Sequence, residues 1–101
     1  MYDGNKAAIT MIQNLKDGIE LDKRVYSCTV IEFQKEKEQV HILMSSGELP
    51  EISLDGIYEC KISTLTGEST CTGKIKERYE NRAGMILCLQ IINGFYETNM
   101  K

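Results

Sequence analysis

The chain has 101 residues, 42% of them hydrophobic and 27% charged, which suits a globular protein with one hydrophobic core and is too short for two. A formal net charge of -3 gives no general attraction to phosphate backbones or anionic membranes, so neither a nucleic acid polymer nor a membrane is expected as partner. No run approaches the roughly 20 apolar residues that span a bilayer, and Met1-Tyr2-Asp3-Gly4 lacks a basic and then apolar leader, so the expected location is cytoplasmic.

From residue 5 to residue 17 the apolar positions Ala8, Met11, Ile12 and Leu15, continued by Ile19, follow the i, i+3, i+4, i+7 spacing of one helical face. This spacing predicts an amphipathic helix, with Asp3 or Asn5 as its cap and Gly18 as its left-handed stop. Beyond Gly18 the period changes. Residues 24–34 and 39–46 are rich in β-branched and aromatic types and are separated by Lys35-Glu36-Lys37-Glu38, the pattern of a hairpin with a charged tip. Pro50, the single proline, marks the connection that follows. Residues 56–64, 69–79 and 84–93 then read as three strands joined at 65–68 and 80–83.

Alternating side chains test the pairing, because a register is acceptable only where like faces meet. In the first hairpin Phe33 is placed opposite Val40, Glu32 opposite His41 and Ile31 opposite Ile42. In the second, Tyr58 faces Ile75, Cys60 faces Gly73 and Ile62 faces Cys71. In the third, Tyr79 faces Met85, Glu77 faces Leu87, Ile75 faces Leu89 and Gly73 faces Ile91. Only Glu77 then falls on the wrong side. The expectation is an all-β, mainly antiparallel fold: a small closed or split β-barrel of five to six strands with one N-terminal helix. As one domain it comprises the helix over 5–17, the barrel over 23–93 and a short tail over 94–101. Gly73, set among large neighbours, is where a missing side chain lets a small barrel coil shut.

The four cysteines (Cys28, Cys60, Cys71 and Cys88) include no Cys-x-x-Cys pair and the one histidine is His41. They are read as reduced thiols, with Cys60 and Cys71 close together in the interior, and no metal or cofactor is expected. Ser27, Ser53 and Ser69 lack a nucleophile elbow, no glycine-rich phosphate loop is present, and a Glu32–His41 couple has no nucleophile assigned to its face. The reading is a protein that binds and does not catalyse. Lys74, Lys76 and Arg78, with Lys61 beside them, form a basic stripe at period two that Glu59, Glu77 and Glu80 balance.

The segment Glu51-Ile52-Ser53-Leu54-Asp55-Gly56 resembles the Asp/Asn-x-Ser-x-x-Gly signature of PilZ domains, with Glu51 in the first position. The order of elements from Leu54 to Ile92 is similar to the second half of the PilZ-like barrel of flagellar brake proteins, and the likeness covers residues 23–93. In cyclic di-GMP-binding members an Arg-x-x-x-Arg motif precedes the first strand. Here Leu21-Asp22-Lys23-Arg24 offers one arginine and one lysine, and the chain's own Arg-x-x-x-Arg, Arg78 and Arg82, comes after the hexapeptide.

The resemblance therefore implies a non-catalytic PilZ-like barrel serving as a regulatory or protein-interaction module. A protein partner is expected, with a homodimer as one form of it, at Ile86, Ile92, Phe95 and Tyr96 near the C-terminus, since residues 84–93 are apolar on both faces and two aromatic rings follow. The alternative it implies is a degenerate cyclic di-GMP receptor using Arg24, Ser53, Asp55, Gly56, Arg78 and Arg82. An oligonucleotide-binding barrel would need aromatic platforms beside basic residues, and Tyr79 next to Arg78 does not supply one because neighbours alternate faces.

Overall fold

Lys6–Asn14 is a strand, not a helix. Ala7, Ile9 and Met11 alternate into the core, whereas Ile12 and Leu15, placed by helical spacing on the buried face, are 46% and 47% exposed. A period of two and a period of 3.6 share positions over so short a run, and tertiary pairing decides between them. This strand, β1, hydrogen-bonds to strands on both sides, so it satisfies two sheet edges that a helix would have left open. The expected caps serve the sheet instead: Asp3 accepts from the Phe33 amide at 3.4 Å, and Asn5 donates to the Ser63 carbonyl at 2.9 Å.

The computed structural model describes residues 3–15 and 21–99, the last four by backbone alone. Gly18 and Ile19 lie outside the described residues. After β1 come β2 (Val25–Gln34), β3 (Gln39–Met44), β4 (Gly56–Thr64), β5 (Gly67–Asn81) and β6 (Gly84–Asn99). All pairings are antiparallel, and the strands close into a barrel in the order β1-β2-β3-β6-β5-β4, with β4 returning to β1. Among the described residues there is no α-helix, only 3-10 turns at Lys35–Lys37 and Leu49–Glu51. β6 runs past the expected end at residue 93, and its last residues pair with the start of β5, Gly67 with Asn99.

The interior holds Ile9, Val30, Val40, Ile42, Tyr58, Ile62, Ile75, Leu87 and Leu89, all essentially without solvent contact. Each fully buried aliphatic side chain contributes about 1.5–3 kcal/mol. Phe33, expected inside, is half-buried and packs at the rim against Phe95, ring centroids 5.1 Å apart and edge to face. The Cys60–Cys71 proximity holds, and the two are direct cross-strand partners.

The registers depart from the sequence expectation at bulges. Phe33 faces Val40 and Glu32 faces His41 as expected, but a bulge at Ile31 brings Val30 opposite Ile42 and turns Ile31 outward. β4 and β5 are displaced by two residues, with Tyr58 opposite Gly73, because the turn is the two-residue Leu65-Thr66 and not a four-residue loop. A slip of two keeps every face unchanged. Ile75 faces Leu89 and Gly73 faces Ile91 as expected, but a bulge at Lys76 inverts the phase, so that Glu77 faces Cys88, Arg78 faces Leu87 and Tyr79 faces Ile86. The bulge removes the misplaced Glu77 and takes Arg78 off the basic stripe. Lys61 does not join that stripe either: it faces Thr70 and pairs with Glu59 at 3.6 Å.

At Gly73 a Cβ would stand 2.2 Å from the Gln90 carbonyl oxygen. β5 has register shifts on either side of Gly73, and the bare backbone lets β6 approach where the sheet coils.

Candidate functional site

Two regions carry the chemistry-bearing side chains, and the first is one mouth of the barrel. The connection between β3 and β4 crosses it as a strap. Gly47, at φ +82, lies against the Tyr26 ring, where a Cβ would come within 2.6 Å. The Glu48 and Glu51 side chains close a capping box around the turn Leu49–Glu51. The Ser53 amide donates to Tyr58 Oη at 2.9 Å, Ser53 Oγ accepts from the Asp55 amide at 3.0 Å, and the Asp55 carbonyl accepts from the Leu15 amide at 2.8 Å. Gly56 opens β4 opposite Asn14.

Five of the six expected ligand residues, Arg24, Ser53, Asp55, Gly56 and Arg78, meet at this strap. Arg82 does not, since it sits exposed in the turn between β5 and β6. Both arginines at the strap are engaged by the chain itself. Arg24 is bound through Nε to Asp22 at 2.9 Å and through Nη1 to Glu51, and its guanidinium lies 5.5 Å from the centre of the Tyr26 ring. Arg78 donates from Nη1 to the carbonyls of Leu49, at 3.0 Å, and Ile52.

Asp22 also accepts from Tyr26 Oη. Burial opposes the Asp22 charge, but these hydrogen bonds outweigh it and hold the carboxyl below its ordinary range. Burial raises the phenols of Tyr26 and Tyr58, and the Asp22 hydrogen bond adds to the effect at Tyr26. Asp22 and Tyr26 were not singled out from the sequence; Glu51 was, as the first position of the hexapeptide, but its pairing with Arg24 depends on the strap folding back over β2.

The second region is the outer face of β5 and β6, where an open groove of about 440 Å³ is lined by Leu54, Lys74, Ile75, Lys76, Gln90 and Ile92. Leu54 of the strap is 41% exposed and Ile92 is 56% exposed. Lys74 and Lys76 form no ion pair among the described residues. Gln90 is held, donating to the Lys37 and Glu38 carbonyls and accepting from Gln39.

Of the three expected interface residues whose side chains are described, only Ile92 lies open. Ile86 is 2% exposed on the outer face, between Leu43 and Tyr79; Phe95 packs against the core; and the side chain of Tyr96 lies outside the described residues. The apolar outer face of β6 is thus partly covered by its own sheet neighbours.

The structure also completes a row that sequence reasoning left short of a nucleophile. Glu32, His41, Cys88 and Glu77 lie side by side across β2, β3, β6 and β5, with Cys88 Sγ 3.8 Å from His41 Nε2. Burial raises the Cys88 thiol, and Glu77 adds to the rise, so the thiolate needed for nucleophilic attack is disfavoured. Among the described residues no three His, Cys, Asp or Glu side chains are grouped to hold a metal ion, and no helix is long and apolar enough to cross a membrane.

Compared with known proteins, the chain matches no family model, no curated protein and no solved structure.

Proposed function

We propose that this chain is a cytoplasmic, non-catalytic barrel module of the PilZ-like kind, regulatory in role, which works by binding a partner protein at the groove on the outer face of β5 and β6. The observation that carries the reading is the contrast between the two regions. At the mouth, Arg24 and Arg78 already have partners within the chain, so an anionic ligand would first have to displace Asp22, Glu51 and two backbone carbonyls. At the groove, two lysines without ion pairs among the described residues flank exposed Leu54 and Ile92, an apolar patch with a polar rim of the type that recognises protein. The closed ring of strands, with the Ser53–Gly56 turn leading into β4, suits the resemblance read from the sequence.

One observation favours a second reading, a degenerate cyclic di-GMP receptor: Arg24, Arg78 and the Ser53–Gly56 turn gather at one mouth. Titration calorimetry with cyclic di-GMP separates the two. The module reading expects no binding heat up to about 1 mM ligand, and micromolar binding abolished by Arg24→Ala would overturn it.

A further inference from the structure

We infer that the segment received by the groove is acidic with an apolar anchor: an extended stretch of a partner protein with two carboxylates on alternate residues and a large apolar side chain on the same face. The inference rests on the groove being the working surface. It is drawn from charge complementarity and spacing. Lys74 and Lys76 are exposed, line the same groove and make no ion pair among the described residues. They stand two residues apart on β5, and although the bulge at Lys76 breaks the regular strand spacing between them, their long side chains can reach alternate side chains of an extended peptide, about 6.5–7 Å apart. Two carboxylates on alternate residues can meet both ammonium groups, while an apolar side chain at a further alternate position, on the same face of the segment, rests between Leu54 and Ile92.

The shape supports a segment over a small molecule, because the groove is an open trough along the sheet and not an enclosed cavity. At Lys74 the backbone is already paired on both sides, with Ile57 of β4 and Gln90 of β6, so a strand cannot be added there. Recognition therefore falls to side chains. The net charge of -3 repels large acidic surfaces, which limits the favourable contact to a short segment laid along the lysines.

The test uses the full chain and labelled synthetic peptides of about nine residues, read by fluorescence anisotropy: a Glu/Leu peptide with Glu, Glu and Leu on alternate residues and Ser between them, a Lys/Leu peptide with Lys in place of Glu, and a Glu/Ser peptide with Ser in place of Leu. The expected result is that only the Glu/Leu peptide binds, with a Kd near 100 µM or tighter at low salt. Its affinity should fall roughly tenfold in the double variant Lys74→Glu with Lys76→Glu, and by a similar factor in Ile92→Ser. It should weaken as salt is added. Circular dichroism checks that each variant keeps its fold; Leu54, Lys74, Lys76 and Ile92 are all at exposed positions.

If the Lys/Leu peptide binds as well as the Glu/Leu peptide and Ile92→Ser abolishes both, the acidic partner is wrong while the groove stands as a docking site. If no peptide binds, or binding survives both Ile92→Ser and Leu54→Ser, the groove reading fails too. If sedimentation finds a dimer of the chain alone that Ile92→Ser dissolves, the occupant is a second copy, and the acidic partner is again overturned.

Discussion

Arg78 Nη1 donates to the Leu49 carbonyl at 3.0 Å, fastening the strap between β3 and β4 to β5, a strand 29 residues further along the chain. The same guanidinium reaches the Ile52 carbonyl, so one side chain satisfies two acceptors at either end of a 3-10 turn. The bulge at Lys76 makes this possible by turning Arg78 to the phase of inward-facing positions at the barrel rim.

Arg78→Ala should therefore cost about 1–3 kcal/mol, two hydrogen bonds from a charged donor, and should loosen the strap more than the barrel. Urea unfolding measures the first. Hydrogen exchange measures the second, with faster exchange expected at the Ile52 and Ser53 amides and little change in β2 and β3. Uniform acceleration across all strands would contradict a local fastening role.

Two glycines on neighbouring strands should respond in opposite ways to the same substitution. Gly73→Ala drives a Cβ into the Gln90 backbone carbonyl, whereas the site of a Cβ at Gly94 has nothing within 4 Å. The backbone of β6 cannot withdraw without breaking its ladder to β3, so Gly73→Ala should lose roughly 3 kcal/mol or more, or fail to fold. Gly94→Ala should stay within about 0.5 kcal/mol of the parent. Thermal unfolding of the two variants side by side decides the matter.

Stability should fall on both sides of neutrality, for different groups. Burial pushes the Cys28 thiol from its ordinary 9.0 up to about 12, and the phenols of Tyr26 and Tyr58 are also raised. A group whose pKa is higher in the folded state contributes stability that is complete below its unfolded value and lost as pH rises, here from about 9 towards 12 for Cys28. Asp22 is lowered, so its contribution is present above its ordinary value of 3.8 and disappears as pH falls below it. Urea midpoints recorded across pH should show both limbs. Cys28→Ala is expected to flatten the alkaline limb and Asp22→Asn the acid one. An alkaline limb unchanged by Cys28→Ala would assign it to the tyrosines and to the other raised thiols, Cys60 and Cys88.

How much of this was legible in the sequence differs from element to element. The strands after residue 23 declare themselves through alternation, and the inward positions Tyr58, Ile75 and Leu89 are correct because a displacement by two residues leaves faces intact. Bulges escape such reading. At Ile31 and Lys76 one extra residue inverts the phase, and nothing in side-chain chemistry distinguishes Val30 from Ile31 as the inward member. β1 escaped for another reason: Met11 satisfies both a helical and a strand pattern, and the deciding fact is that β2 and β4, far apart in sequence, each lack a neighbour without it. The engagement of Arg24 and Arg78 was equally hidden, since Glu51, beside Arg24, and the two carbonyls that Arg78 meets are brought near only by the folded strap.

The placement of β1 has a consequence for how the molecule is assembled. Its neighbours are β2, the next strand in the chain, and β4, where Ala7 meets Ile62 across more than half the length of the chain. The loop-closure entropy of that second seam is incurred before its contacts form, which favours late sealing. Until then Ile9 and Met11 lie along an unsatisfied border, and so does β4 on the opposite side. The interval between forming the hairpins and sealing the ring is thus when this protein is most prone to join another copy of itself.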